Sequence, residues 1–268
     1  MKADLATDIS AAAAAGFGYL EIWAAKLHEF LKTHPVSELK TLFDEGGIKP
    51  LSINSIEHIT FRDAAAYAKI RTECEELSSI AEAIGCPYIV VVPGRFPQGG
   101  MSSYEVIEGS VGVLRELASI AERHNVALAF EFLGQQDCSV QTLELADEIV
   151  EKVNRRNIGL VIDSFHFYAG GSTIKMIDAL DPKRLFIFHI NDAEDLPSGQ
   201  LTDANRLLPG LGILPLKEII EAFRRIGYDG VASVEIFRPE YWERDPFELA
   251  REAKAAVEKV LSGTDLSL

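Results

Sequence analysis

The sequence Gly159-Leu-Val-Ile-Asp163 is a short run of small and apolar residues that ends on a carboxylate. Three other segments share this form, namely Ala127-Leu-Ala-Phe-Glu131, Leu185-Phe-Ile-Phe-His189 and Val231-Ala-Ser-Val-Glu235. Runs of this kind are typical of parallel strands that are covered on both faces. The sequence therefore predicts four buried strands, each of which ends on a side chain that can bind a metal ion.

Strand-like runs alternate with helical stretches along the chain. The predicted strands are Tyr19–Trp23, Leu51–Asn54, Tyr88–Val92, Ala127–Phe132, Gly159–Asp163, Leu185–Ile190 and Val231–Phe237. The predicted helices span residues 3–15, 36–45, 63–84, 103–124, 140–153, 172–180, 214–226 and 246–261. This alternation indicates a parallel sheet with helices outside it. No linker-like segment interrupts the pattern, so we expect residues 1–268 to form a single domain.

The polar strand ends decide between an open sheet and a closed barrel. Adjacent strands lie about 4.8 Å apart, so the outer two of four neighbours in a flat sheet would be separated by about 14 Å. Side chains that far apart cannot bind one ion. A closed barrel directs all four strand ends toward its axis, and we therefore predict an α/β fold of the TIM (β/α)8 type.

Only seven strand-like runs accompany the eight predicted helices, whereas a (β/α)8 barrel has eight strands. Met1-Lys-Ala-Asp-Leu5 lies inside or just before the first predicted helix, where a preceding strand would be expected. We therefore expect a barrel that lacks its first strand and has a gap between Tyr19–Trp23 and Val231–Phe237. The sequence leaves open whether its first residue lies downstream of the true start or the barrel is truncated.

The four strand ends predict a metal site. An ionised carboxylate is costly to bury unless positive charge lies beside it. Three carboxylates and one imidazole that converge on a divalent cation would offset this cost at every position. We predict that Glu131, Asp163, His189 and Glu235 bind one such ion. Their oxygen and nitrogen donors favour Mn²⁺ or Co²⁺, while Mg²⁺ and Zn²⁺ remain open.

Composition argues against several partners and compartments. The chain carries 26 basic and 41 acidic residues, a net charge of -15, which repels nucleic-acid phosphates and anionic membrane surfaces. Cys74, Cys86 and Cys138 show no CxxC spacing, so we expect reduced thiols in a cytoplasmic protein. No phosphate-binding loop is found, which disfavours a phosphorylated substrate. A homo-oligomer is left open.

The order Glu–Asp–His–Glu on four successive strands resembles the xylose isomerase-like TIM barrels, a family of sugar isomerases and epimerases. The resemblance covers nearly the whole chain and is closest to the branch of 2-keto-myo-inositol (inosose) isomerases. Its most specific stretches are Glu131-Phe-Leu-Gly134, Val161-Ile-Asp-Ser-Phe-His-Phe167, Phe188-His-Ile-Asn-Asp-Ala-Glu-Asp195, Leu201-Thr-Asp203 with Arg206 and Pro209-Gly-Leu-Gly212, and Val234-Glu-Ile-Phe-Arg-Pro-Glu-Tyr241.

The resemblance assigns roles to individual residues. It implies that Glu131 and Glu235 bind the metal ion and also exchange protons with the substrate as an acid/base pair. Asp163 and His189 would complete the metal site. His166, three residues beyond Asp163, would contact the substrate, although a packed loop histidine is the simpler alternative.

Further residues are implied at the substrate pocket. Arg206 would reach substrate hydroxyls, and Glu21 and Asn54 would line the pocket at the ends of earlier strands. Apolar walls would come from three aromatic residues, Trp23, Phe165 and Trp242. The residues alone leave simpler interpretations open, namely a surface arginine, satisfied polar groups in the core, and plain aromatic packing.

The implied substrate is a small neutral sugar or cyclitol. The implied reaction moves a carbonyl to the neighbouring ring carbon, from 2-keto-myo-inositol to 1-keto-D-chiro-inositol, through an enediolate. A divalent metal ion would stabilise the negative charge, and the two glutamates would move the proton. Inosose or 3-dehydroshikimate dehydratase, ketose 3-epimerase and hydroxypyruvate isomerase remain alternatives, as does a non-catalytic sugar-binding relative.

Overall fold

A computed structural model of the chain describes residues 2–262 and Leu266. Seven strands form its central sheet, and they are all parallel: β1 (Tyr19–Trp23), β2 (Lys49–Ile56), β3 (Tyr88–Val91), β4 (Ala127–Glu131), β5 (Ile158–Asp163), β6 (Leu185–Ile190) and β9 (Val231–Val234). Their order is β1-β2-β3-β4-β5-β6-β9. Two short antiparallel strands, β7 (Asp192–Ala193) and β8 (Arg206–Leu207), pair separately above them.

Eleven α-helices occur within the described residues. They are α1 (Leu5–Ala14), α2 (Ala24–Leu31), α3 (Val36–Gly46), α4 (Ala64–Ile84), α5 (Ser103–Glu122), α6 (Leu143–Val153), α7 (Ser164–Ala169), α8 (Ile174–Asp178), α9 (Leu216–Ile226), α10 (Pro239–Trp242) and α11 (Pro246–Leu261). All eight predicted helices are present. The sequence analysis missed α2, α7 and α10, so the prediction of eight helices was too low.

The missed helices are short, and two of them follow strand ends directly. Trp23 precedes α2 without a side-chain capping bond, so the sequence carries no polar start signal there. Asp163 ends β5 and also caps α7, since its carboxylate accepts the backbone N–H of His166. Helix α10 contains four residues and begins at Pro239. Such short helices depend on their tertiary surroundings rather than on local sequence.

The strands separate two apolar layers. The inner layer fills the barrel and contains Leu51, Val90, Val92, Ala129, Val161 and Ile187. The outer layer packs the other face of the strands against the helices, with Leu128, Phe130, Ile162 and Phe188 among its fully buried members. Strand side chains alternate between the two faces, so residues two positions beyond the inner ones also point toward the barrel axis.

The barrel is nearly closed. β1 and β9 end the seven-stranded order and are not hydrogen-bonded to each other, which confirms the predicted gap. Some of their Cα atoms nevertheless lie within 8 Å of each other. Two full strand spacings would be about 9.6 Å, so β1 and β9 would have to move apart to admit a further strand. A cavity of about 300 Å³ lies beside it, with Phe17, Leu20, Val231 and Val234 in its wall.

Two further features concern possible membrane spans and the state of the cysteines. Across residues 2–262 and Leu266, no helix combines the length and apolar character that a membrane span needs. Cys74, Cys86 and Cys138 are all free thiols, as their spacing predicted. All three are buried.

Candidate metal centre and cavity

The four predicted metal ligands lie at the carboxyl ends of four neighbouring strands. Glu131 and Asp163 are the last residues of β4 and β5, and His189 is one residue from the end of β6. Glu235 directly follows β9. Glu131, Asp163 and His189 each stand two positions after a residue of the inner layer, and Glu235 stands four positions after Val231, which packs against that layer. The alternation of the strands therefore brings all four side chains to the barrel axis.

The donor atoms of these side chains converge. One donor from each of Glu131, Asp163, His189 and Glu235 lies within 4.8 Å of the others. Ligands at about 2.0–2.3 Å from one ion can be at most about 4.6 Å apart, so shifts of a few tenths of an ångström would complete such a site. Three of the four residues are buried, and the Glu235 side chain is 13% exposed. The group has the position and chemistry to hold a divalent cation.

His189 is surrounded by carboxylates. Its Nδ1 lies 3.1 Å from Oε1 of Glu131 and 3.5 Å from Oε2 of Glu235, while its Nε2 lies 3.0 Å from Oε1 of Glu21. Burial alone would lower the pKa of His189, but the three carboxylates outweigh burial and raise the pKa well above its ordinary value. The imidazolium thus supplies part of the positive charge that these acids require.

The pKa values of the two glutamates among the candidate ligands are shifted in opposite directions. Burial raises the pKa of Glu131 to about 7, although His189 opposes the shift. Burial also acts to raise the pKa of Glu235, but His189 and Arg206 outweigh it and hold that pKa well below its ordinary range. A pair of carboxyl groups whose pKa values are pushed apart is typical of acid/base sites.

Arg206 is the main fixed positive charge beside the four candidate metal ligands. It is 1% exposed, so the alternative of a surface arginine is wrong. Its Nη1 donates to Oδ2 of Asp163 at 2.8 Å and to Oε2 of Glu235 at 2.9 Å, and its Nη2 donates to Asp203 at 3.0 Å. Its guanidinium carbon lies 4.9 Å from the centre of the Phe165 ring. The ring of Phe165, which is fully buried, therefore packs against the guanidinium of Arg206.

Three neutral side chains orient the carboxylates. Asn54, expected at the pocket, donates from Nδ2 to Oε1 of Glu235 at 2.7 Å. Asn191 donates from Nδ2 to Oδ2 of Asp163 at 2.7 Å, and the hydroxyl of Ser164 donates to Oδ1 of Asn191 at 2.9 Å. Sequence analysis missed Asn191 and Ser164. The signal was available for Asn191, since it follows His189 by two positions and so shares its inward direction.

His166 lies beside Arg206. The ring is buried, and burial lowers its pKa, so it is neutral at pH 7. Its Nδ1 accepts the backbone N–H of Gly134 at 3.2 Å, and its Nε2 lies 3.0 Å from Nη2 of Arg206. Position 134 requires glycine, because a Cβ there would lie 2.7 Å from the backbone oxygen of His166.

A cavity of about 730 Å³ opens next to these residues, within the range of small-molecule sites. Its wall includes Asn54, Glu131, His166, Arg206, Glu235 and Trp242. The expected pocket residue Trp23 does not border it. Trp23 lies instead in a separate surface depression, beside Lys26 and Phe30. Glu21 also lies outside the wall of the large cavity and contacts Nε2 of His189.

The chain is similar to proteins of known type over nearly its whole length. A family model described as "Xylose isomerase-like TIM barrel" matches residues 9–260. The inosose isomerases of Halalkalibacterium halodurans and Bacillus subtilis are each 40% identical over 262 residues. These alignments cover 97% of this chain and 93% and 94% of the two relatives, respectively.

A solved structure shares both the fold and the level of identity. It is a crystal structure of the IOLI protein with a bound zinc atom, which is 40% identical and superposes with a TM-score of 0.94. The superposition covers 97% of this chain and 94% of that chain. All four residues of the candidate metal centre lie inside the matched region, from Glu131 to Glu235. The chain belongs to the xylose isomerase-like TIM barrel family.

Proposed function

We propose that this isomerase interconverts 2-keto-myo-inositol and 1-keto-D-chiro-inositol, with Glu131 and Glu235 as its acid/base pair and one divalent metal ion as its cofactor. The observation that carries the proposal is the convergence of Glu131, Asp163, His189 and Glu235 beside a cavity of about 730 Å³. The similarity to inosose isomerases supports a cyclitol ketone as the substrate.

The charges around the group fit a cation. Four largely buried carboxylates, Glu21, Glu131, Asp163 and Glu235, lie near the fixed positive charge of Arg206 and the ring of His189. A divalent ion would supply the positive charge that this set lacks and would replace the proton on Nδ1 of His189. When bound, the ion supplies Lewis-acid stabilisation of negative charge on the substrate oxygens. Mn²⁺ and Co²⁺ suit this donor set, and the zinc in the IOLI protein makes Zn²⁺ a further choice.

The two glutamates are placed to move one proton between neighbouring carbons. Both border the cavity, and both lie within 3.5 Å of Nδ1 of His189. One carboxylate takes the proton from the carbon that bears the hydroxyl, next to the carbonyl, which gives an enediolate. A carboxyl group then delivers a proton to the former carbonyl carbon, and the proton of the remaining enol hydroxyl passes to the former carbonyl oxygen as the new carbonyl forms. The net change is an exchange of carbonyl and hydroxyl positions.

His166 and Arg206 are placed to bind a substrate oxygen. Both border the cavity, and Nε2 of His166 lies 3.0 Å from Nη2 of Arg206. The guanidinium of Arg206 can only donate hydrogen bonds, so it offers N–H groups to a hydroxyl or carbonyl oxygen of the substrate. Such a bond would fix the ring of the substrate against the carboxylates.

The test is a product analysis by NMR in D₂O. The EDTA-treated protein is incubated with 2-keto-myo-inositol after addition of Mn²⁺, Co²⁺, Mg²⁺ or Zn²⁺. The proposal predicts signals of 1-keto-D-chiro-inositol only in metal-loaded samples. D-Psicose and 3-dehydroshikimate serve as competing substrates for the epimerase and dehydratase alternatives. Conversion of one of these, with the inosose left unchanged under every metal, would refute the proposed reaction.

A further inference from the structure

Glu21 contacts the side of His189 that faces away from the other carboxylates. Its two carboxylate oxygens lie 3.0 and 3.2 Å from Nε2 of His189. The opposite ring nitrogen, Nδ1, faces Glu131 and Glu235. The imidazole is fully buried, so these carboxylates are its polar surroundings on both edges.

Glu21 is itself held in place. It is on β1, where the register pairs it directly with Ser52 on β2. The hydroxyl of Ser52, which is fully buried, donates to Oε2 of Glu21 at 2.5 Å. The side chain of Glu21 is 10% exposed, and that exposure is toward the cavity beside the β1–β9 gap. Glu21 thus borders the small cavity and not the large one.

This arrangement decides which nitrogen of His189 can bind a metal ion. A carboxylate can only accept a hydrogen bond, so the nitrogen that faces Glu21 must keep its proton. A neutral imidazole has one protonated and one free nitrogen, so the free lone pair is on Nδ1. Nδ1 is the atom that points at Glu131 and Glu235.

We propose that Glu21 is a positioning residue that holds His189 as the Nε2-protonated tautomer, with Nδ1 directed at the metal ion. The chain Ser52–Glu21–His189 would then be a carboxylate–histidine–metal relay of the kind that fixes ring orientation and raises ligand basicity. The inference rests on the proposed metal function and adds to it a residue outside the ligand set and outside the substrate cavity.

The test compares Glu21→Gln with a matched control. The substitution keeps the size of the side chain and removes its charge, and Asp8→Asn makes the same change elsewhere. Asp8 borders the same small cavity but pairs with Lys26 and does not contact His189. Ser52→Ala removes the group that orients Glu21. Each purified variant is first shown to be folded by its unfolding temperature in EDTA.

Metal affinity is then measured for each protein by competition with a chelator, using Mn²⁺ and Zn²⁺. Glu21→Gln should weaken metal binding about 10- to 100-fold, Ser52→Ala should weaken it less, and Asp8→Asn should leave it unchanged. In the Zn²⁺-loaded wild type, long-range ¹H–¹⁵N correlations of His189 should show the proton on Nε2. If Glu21 had only a structural role, Glu21→Gln would leave the metal affinity and the tautomer of His189 unchanged.

Three outcomes would overturn the inference, and they differ in what else they affect. If Glu21→Gln binds metal within twofold of a wild type that does bind it, Glu21 has no positioning role and the proposed function stands. If the wild type binds no metal at Glu131, Asp163, His189 and Glu235, both the inference and the proposed metal-dependent reaction fail. A proton found on Nδ1 in the Zn²⁺-loaded protein would also refute the inference alone.

Discussion

Replacement of Arg206 by methionine should destabilise the metal-free protein strongly. Nη1 of Arg206 is 2.8 Å from Asp163 and 2.9 Å from Glu235, and Nη2 is 3.0 Å from Asp203. Loss of one partner from a buried ion pair costs about 3–5 kcal/mol, because the remaining charge is left uncompensated. Methionine retains an apolar stem beside Phe165, so loss of packing adds little.

The assay is thermal unfolding in EDTA and again with saturating Mn²⁺. For a chain of this length, about 3–5 kcal/mol corresponds to a fall of roughly 6–20 °C in the unfolding temperature. The loss should be smaller with Mn²⁺, since the cation neutralises Asp163 and Glu235 directly. Arg238→Met is the control, because Arg238 pairs with the more exposed carboxylates of Glu194 and Glu240.

The control sets the scale of the result. Pairs near the surface contribute about 0–1 kcal/mol, so Arg238→Met should lower the unfolding temperature by only a few degrees. Equal shifts for Arg206→Met and Arg238→Met would refute the account of Arg206 as the buried counter-charge of the metal group. A loss at Arg206 that Mn²⁺ leaves unchanged would show that the cation does not act on the same carboxylates.

Three further predictions concern catalysis, pH and the barrel gap. Glu235→Gln should keep the fold and lower kcat by about 10²–10⁴-fold in the NMR assay; a near wild-type rate would remove Glu235 from proton transfer. Glu131 has its pKa raised from 4.5 to about 7, so the stability that its protonated form contributes is lost as the pH rises through that window. Since Mn²⁺ binds the ionised form, its affinity should fall below pH 7 by at least about tenfold per pH unit, and a flat titration would contradict this. An apolar strand-forming segment of about five residues, fused ahead of Asp4, should pair in the β1–β9 gap and raise the unfolding temperature relative to a proline-containing version; equal temperatures would show that the gap cannot admit a strand.

The strand ends could be predicted because they depend on simple local rules. Alternation of side chains in a buried strand places every second residue on one face, so Glu131, Asp163 and His189 had to share a face with the residues two positions before them. These side chains can share one metal ion only if the sheet is closed, so the sequence favoured a barrel over a flat sheet. The unpaired edges of β1 and β9 followed from the count of seven strands.

The rest of the site depends on contacts between segments that are distant in sequence. Arg206 is buried because the loop that carries it folds over Phe165, and no local pattern distinguishes it from a surface arginine. Glu21 matters through His189, 168 residues away in sequence, and was expected only to line the pocket. Trp23 was expected to form an apolar wall of the pocket, but it lies in a separate depression, directly before α2.

The most direct test of the metal centre is a crystal structure of the protein soaked with Mn²⁺, with anomalous diffraction data collected near the manganese absorption edge. The account predicts one strong anomalous peak inside the barrel mouth, about 2.0–2.3 Å from an oxygen of Glu131, Asp163 and Glu235 and from Nδ1 of His189. An anomalous peak at another position, or no peak at these four residues under conditions that support isomerisation, would contradict the account.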